Sequence, residues 1–119
     1  MQEKYSLSSD DQRLASMLKA LGNPVRFRIM RILAEKKQCI TGEIVELTDL
    51  AQSTVSQHLK VLREAGLIDG EIEGPATCYC LNDRGIRWMK SRIDSWLPEC
   101  CPDIEQRRYI VNHKQGFSR

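Results

Sequence analysis

Val55, Leu59 and Leu62 recur at spacings of four and three residues within AQSTVSQHLKVLREAGL (residues 51–67), a rhythm that predicts an amphipathic helix. Gly66 stands where such a helix exits. The face opposite the apolar stripe carries Ser53, Gln57 and Lys60, with Thr54 and Ser56 on its flanks. These side chains are short to medium, hydrogen-bonding and uncharged near the helix start, with a cation farther along. A DNA major groove asks for that combination: amides and hydroxyls for base edges, a cation for phosphate. An ordinary solvent-facing helix would show the same stripe, so the neighbouring elements decide.

Upstream, residues 9–21 place Leu14, Leu18 and Leu21 on one predicted helical face, with Asp10 and Asp11 in the first turn where the helix dipole favours them. Gly22 ends that helix. Asn23 caps a second one that opens with Pro24, whose fixed φ suits a first helical position. This helix is expected to bury Phe27 or Ile29, together with Met30 and Leu33. It also concentrates the basic charge in Arg26, Arg28, Arg31, Lys36 and Lys37, either as a solvated face or as a phosphate contact. Thr41 can cap a short third helix over 42–49, and the 51–66 helix follows after a tight turn, which makes a helix-turn-helix.

Residues 67–73 and 76–81 read as two short strands joined at Gly74-Pro75, a hairpin or wing. Asn82 caps a final helix over 83–97 that Pro98 stops. Its stripe is Ile86, Met89, Ile93, Trp96 and Leu97, with Trp88 on the other side. A terminal helix apolar on two sides in so small a protein suggests a dimer seam. The expected fold class is therefore mainly α with a small β-hairpin, in the winged helix-turn-helix order α-α-α-α-β-β-α, dimerising through terminal helices.

At 119 residues the chain is long enough for one modest core and too short for two. The expected division is a DNA-binding and dimerisation domain over 1–101 and a polar tail over 102–119. A hydrophobic fraction of 41% and a charged fraction of 29% fit a soluble globular protein. No apolar run approaches the roughly 18 residues of a membrane span, and MQEKYSLSSDD has no apolar segment of a secretory signal. A cytoplasmic protein without membrane contact is expected. The net charge of +2 is mild for a nucleic-acid binder, so its distribution matters more than its sum. Five cysteines, an odd number, argue against a disulfide framework and for free or metal-binding thiols.

LKALGNPVRFRIMRIL, then STVSQHLKVLREAGLI, then a hairpin, resembles the ArsR/SmtB family of metalloregulatory repressors over about residues 12–97. The resemblance implies a homodimer that sits on double-stranded operator DNA, represses a resistance operon and leaves when a metal, metalloid or reactive sulfur species binds. Carried over residue by residue, it puts Gln52, Ser53, Thr54, Ser56, Gln57 and His58 at the groove, with Lys60 and Arg63 near phosphate. His58 lies about 60° from the centre of the apolar stripe, so a half-buried packing role is the alternative. Two departures stand out. Ala51 occupies a position where a hydroxyl helix cap is commoner, a loss of typically ~1 kcal/mol. The wing carries Asp69, Glu71 and Glu73 without a nearby cation and should repel phosphate. DNA contacts are thus expected to lean on the recognition helix and the basic second helix.

Family members differ in where the inducer sits. The cysteine pair that many arsenic sensors carry at the start of the third helix is replaced by Ile40-Thr41-Gly42-Glu43, with Cys39 just outside. No cysteine precedes Cys39, as cadmium and lead sensors of the family require, and the terminal helix lacks the histidines of a zinc site; His113 is in the tail. The vicinal pair Cys100-Cys101 remains. Adjacent Cα atoms are ~3.8 Å apart, below the usual disulfide range, so the reduced pair is a chelate for a soft centre. Some arsenic-responsive members carry vicinal cysteines near this terminus. The expected inducer is trivalent arsenic, inorganic or methylated, or antimony, with no organic cofactor.

Cys78 and Cys80 point to one face of the second wing strand with Tyr79 on the other. They are either small buried hydrophobes or a source of a third ligand, as is Cys39. The last helix is ~22 Å long, so joining the strand end to Cys100 needs a folded-back tail or antiparallel seam helices. A thiol-redox or persulfide-sensing repressor on the same scaffold is the alternative function. A small thiol enzyme such as an arsenate reductase would need an anion loop around a cysteine, which is missing, so no enzymatic activity is expected. A winged helix that binds protein and not DNA has only the acidic wing in its favour; no protein substrate is expected.

Overall fold

Capping and exit motifs place most of the elements. The computed structural model describes residues 6–36, 43–70 and 78–97. Within them the order is α1 (Ser9–Leu21), α2 (Pro24–Lys36), α3 (Glu43–Thr48), α4 (Gln52–Glu64), β1 (Ile68–Asp69), β2 (Cys80–Leu81) and α5 (Asp83–Trp96). The Ser8 hydroxyl accepts from the Asp11 amide and opens α1. Asn23 Oδ1 accepts from the amides of Val25 and Arg26 and opens α2. Asn82 Oδ1 accepts from the Gly85 amide at 2.9 Å and opens α5. Thr41, expected to cap α3, lies outside the described residues.

The core gathers Leu14, Met17 and Ala20 of α1, Ile29 and Leu33 of α2, Ile44 of α3, and Val55, Leu59 and Leu62 of α4. Leu67 and Ile68 leaving α4, Tyr79 of the wing and Met89 of α5 complete it. The α4 stripe is buried as its spacing requires. On α1 the buried face is Leu14, Met17 and Ala20, while Leu18 is 40% exposed. The reason is that 14-17-21 and 14-18-21 are both helical spacings; flexible Met17 reaches under the end of α4, beside Gly66. On α2, Ile29 and Leu33 are buried and Phe27 is exposed, because the Asn23 cap sets a helix phase that turns residue 27 to the outside.

α4 ends in a Schellman motif. The Leu67 amide donates to Leu62 O and the Gly66 amide to Arg63 O, with Gly66 at φ 86°, and Leu62 and Leu67 are both fully buried. The chain then pairs Ile68 with Leu81 and Asp69 with Cys80 in an antiparallel two-residue ladder. That hairpin base is what is described of the expected strands 67–73 and 76–81; Gly74, Pro75, Glu71 and Glu73 lie outside the described residues. Trp88, on the other side of α5 from Ile86, is half-buried against the core as well, with the Arg13 guanidinium of α1 3.9 Å above its ring centroid. No described helix is long and apolar enough to cross a membrane.

Candidate nucleic-acid interface

The α3–α4 turn sets the outer face of α4. Asp49 takes a left-handed conformation (φ 60°), which an aspartate tolerates better than most residues, and Thr48 is buried with its hydroxyl donating to Val45 O. Ala51 is the helix cap and provides no side-chain bond, as its methyl group requires. With Val55, Leu59 and Leu62 facing inward, Gln52, Ser53, Gln57, Lys60 and Arg63 are exposed and Thr54, Ser56 and His58 are half-buried. The structure thus brings seven of the eight sequence-predicted residues to one outward surface, with no side-chain tie to another element among the described residues. His58 is different: its Nδ1 lies 3.3 Å from Nη1 of Arg26 on α2.

The basic second helix is partly used up inside the protein. Arg26 Nε donates to Ala20 O at the end of α1 at 2.7 Å, and Arg28 Nη2 donates to Leu47 O at the end of α3 at 3.2 Å. Both serve carbonyls that a helix C-terminus leaves without intrahelical partners, where the dipole also favours a cation. Arg31 forms an exposed i,i+4 pair with Glu35 at 3.5 Å. Arg26 and Arg28, two of the basic side chains of α2, are thus bonded to protein carbonyls. Sequence reasoning missed these bonds; the available signal was an arginine just after a helix-Gly-Asn-Pro junction. On the wing, Asp69 is exposed and accepts from Asn82 Nδ2 at 3.1 Å.

Away from α4, Leu7, Leu18, Trp96 and Leu97 are all at least 40% exposed. Leu7, Asp11, Leu14, Ala15, Leu18 and Trp96 line a shallow, mainly apolar depression between α1 and α5. Arg92 of α5 pairs with Asp11 of α1 at 3.7 Å, and its Nε is buried without a hydrogen-bond partner among the described residues. Cys78 and Cys80 are half-exposed thiols on one face of the wing, with Tyr79 buried on the other. Among the described residues no three His, Cys, Asp or Glu side chains converge on a metal position. Cys39, Cys100 and Cys101 lie outside the described residues.

Known proteins share this arrangement. The family model described as "Bacterial regulatory protein, arsR family" matches residues 23–69, from the cap of α2 to β1. The transcriptional regulator YgaV of Escherichia coli (strain K12) is 30% identical over 86 residues, spanning 72% of this chain and 87% of YgaV. The arsenical resistance operon repressor of Bacillus subtilis (strain 168) is 34% identical over 73 residues, 61% of this chain and 70% of the repressor. Among solved structures, reduced HlyU from Vibrio cholerae N16961 superposes with a TM-score of 0.56 at 27% identity, covering 75% of this chain and 93% of HlyU. With the helix-turn-helix, the hairpin base and the capped terminal helix in family order, the chain belongs to the ArsR family of helix-turn-helix transcriptional regulators.

Proposed function

We propose that this regulator is a homodimeric repressor that binds its operator through α4 and releases it when trivalent arsenic, inorganic or methylated, or antimony binds Cys100 and Cys101. The observation that carries the DNA part is the exposed polar face of α4 over a fully buried Val55-Leu59-Leu62 stripe. Gln52, Ser53, Thr54, Ser56, Gln57 and His58 serve the base edges there, and Lys60 and Arg63 the phosphates. The exposed Leu18, Trp96 and Leu97 support a seam built from α1 and α5. In this reading residues 1–101 form the working domain, 102–119 a polar tail, and the protein works in the cytoplasm.

The thiol chemistry of the vicinal pair supports a soft, thiophilic inducer, and the arsenical resistance operon repressor among the relatives is consistent with it. Cys78 and Cys80, half-exposed two residues apart, are candidates for a third thiolate. Inducer binding pins the end of the seam helix and respaces the two recognition helices; a coupling of 1–3 kcal/mol lowers operator affinity roughly 5–150-fold. The half-exposed thiols and the likeness to reduced HlyU favour one second reading, a thiol-redox or persulfide sensor on the same scaffold.

A fluorescence-anisotropy titration of the reduced protein on its own promoter DNA separates the two. Arsenite, a methylated arsenical, antimonite, zinc, cadmium and polysulfide are added in turn. Release by trivalent arsenic or antimony and not by zinc is the expected result. Release by polysulfide alone replaces the metalloid reading with the redox one.

A further inference from the structure

We propose that Arg26 is a positioning residue for DNA reading: one guanidinium ties the end of α1 to α4 and sets the tautomer of His58. Its Nε donates to Ala20 O and its Nη1 meets His58 Nδ1, so two arms of one rigid planar fork reach two different helices. Arg26 is half-buried and shares a depression with Ser16 and Lys19 of α1 and Val61 and Glu64 of α4, at the meeting point of three helices. An arginine side chain has five donors and no acceptor. The 3.3 Å contact is therefore a hydrogen bond only when Nδ1 carries the lone pair, which puts the proton of the neutral ring on Nε2.

Two consequences follow for the regulator. His58 becomes a donor at Nε2, matched to acceptors such as phosphate oxygens or purine N7. And α1, which carries exposed Leu18, is pinned to the same group as α4, so a shift of the seam at α1 is passed to the reading helix through Arg26. The inference rests on α4 being the helix that faces DNA. The hydrogen bond itself does not depend on that reading, and the test separates them.

The full-length reduced chain has two histidines, His58 and His113, so ring-nitrogen spectra of ¹⁵N-histidine protein can be assigned with a His58→Asn variant. The neutral His58 ring of the wild type is expected as the Nε2–H tautomer, and Arg26→Met is expected to yield a mixture. An Nδ1–H wild-type ring overturns the proposal without any DNA being present. In operator titrations Arg26→Met and His58→Leu each weaken binding about tenfold, the size of one hydrogen bond to a charged group. The double variant is no weaker than either single one, and Arg26→Lys falls between wild type and Arg26→Met. Losses that multiply overturn the tether. If Arg26→Met does not fold, the wild-type tautomer and Arg26→Lys carry the test. A wild-type protein that binds no DNA sequence preferentially refutes the proposed function, while the tautomer still decides on Arg26.

Discussion

Gly85, in the first turn of α5, lies directly against the carbonyl oxygen of Gly66, and a Cβ at Gly85 would overlap that oxygen. The contact joins the exit of α4 to the entry of α5. Asn82 reinforces it: its amide donates to Leu67 O, its side-chain oxygen caps α5 and its side-chain nitrogen donates to Asp69 of β1. The start of α5, the end of α4 and the base of the wing are thereby held in direct contact.

Gly85→Ala is the sharpest test of that joint. The obstructing atom is backbone and cannot rotate away, so the variant should lose about 1–3 kcal/mol of stability. Urea unfolding followed by circular dichroism checks this. An unchanged midpoint at unchanged slope would mean that α4 and α5 are not in such close register.

Gln57 and Lys60 are both exposed on α4 but carry different chemistry. Gln57→Ala should weaken operator binding by about 1–3 kcal/mol while leaving non-specific DNA affinity nearly unchanged. Lys60→Ala should weaken both alike and lower the salt slope by about one. Equal losses on both DNAs for Gln57→Ala would remove it from base reading.

Leu18 is 40% exposed beside Trp96 in the α1–α5 depression. Leu18→Asp should leave the fold of the protomer intact, since the position is outside the core, and yield a monomer in sedimentation equilibrium. Operator affinity should fall with dimerisation. A variant that stays dimeric would place the seam elsewhere.

Cys100 and Cys101, both changed to Ser, should leave operator affinity unaltered and abolish release by arsenite in the anisotropy titration. Surviving release would exclude the pair as the inducer site. Cys78→Ser and Cys80→Ser, made separately, then report which wing thiol contributes: loss of the arsenite response with retention of the methylated-arsenical response marks a third ligand.

Much of the fold was legible residue by residue. Asn23 and Asn82 cap helices where their side chains were expected to, and Gly66 closes α4 with a positive φ. Local rules suffice at such places because the hydrogen bonds lie within three or four residues. The α1 face was misread because Met17 and Leu18 are both apolar at helical spacings, and only packing chooses between them. The partner of Trp88 is likewise a matter of packing: Arg13, 75 positions away in the chain, provides the cation above its ring.

The division is clearest on α4. Sequence alone determined its helical phase, its buried stripe, its polar outer face and the family order of elements, because each depends on side-chain periodicity and local caps. Only the tertiary structure decided that Arg26 and Arg28 bind the carbonyl ends of α1 and α3, that His58 is tied to Arg26, and that Gly85 sits on Gly66. Those contacts join residues up to 32 positions apart in the case of Arg26 and His58. Charge and periodicity show that an arginine is available; the three-dimensional approach of helix ends determines which acceptor it meets.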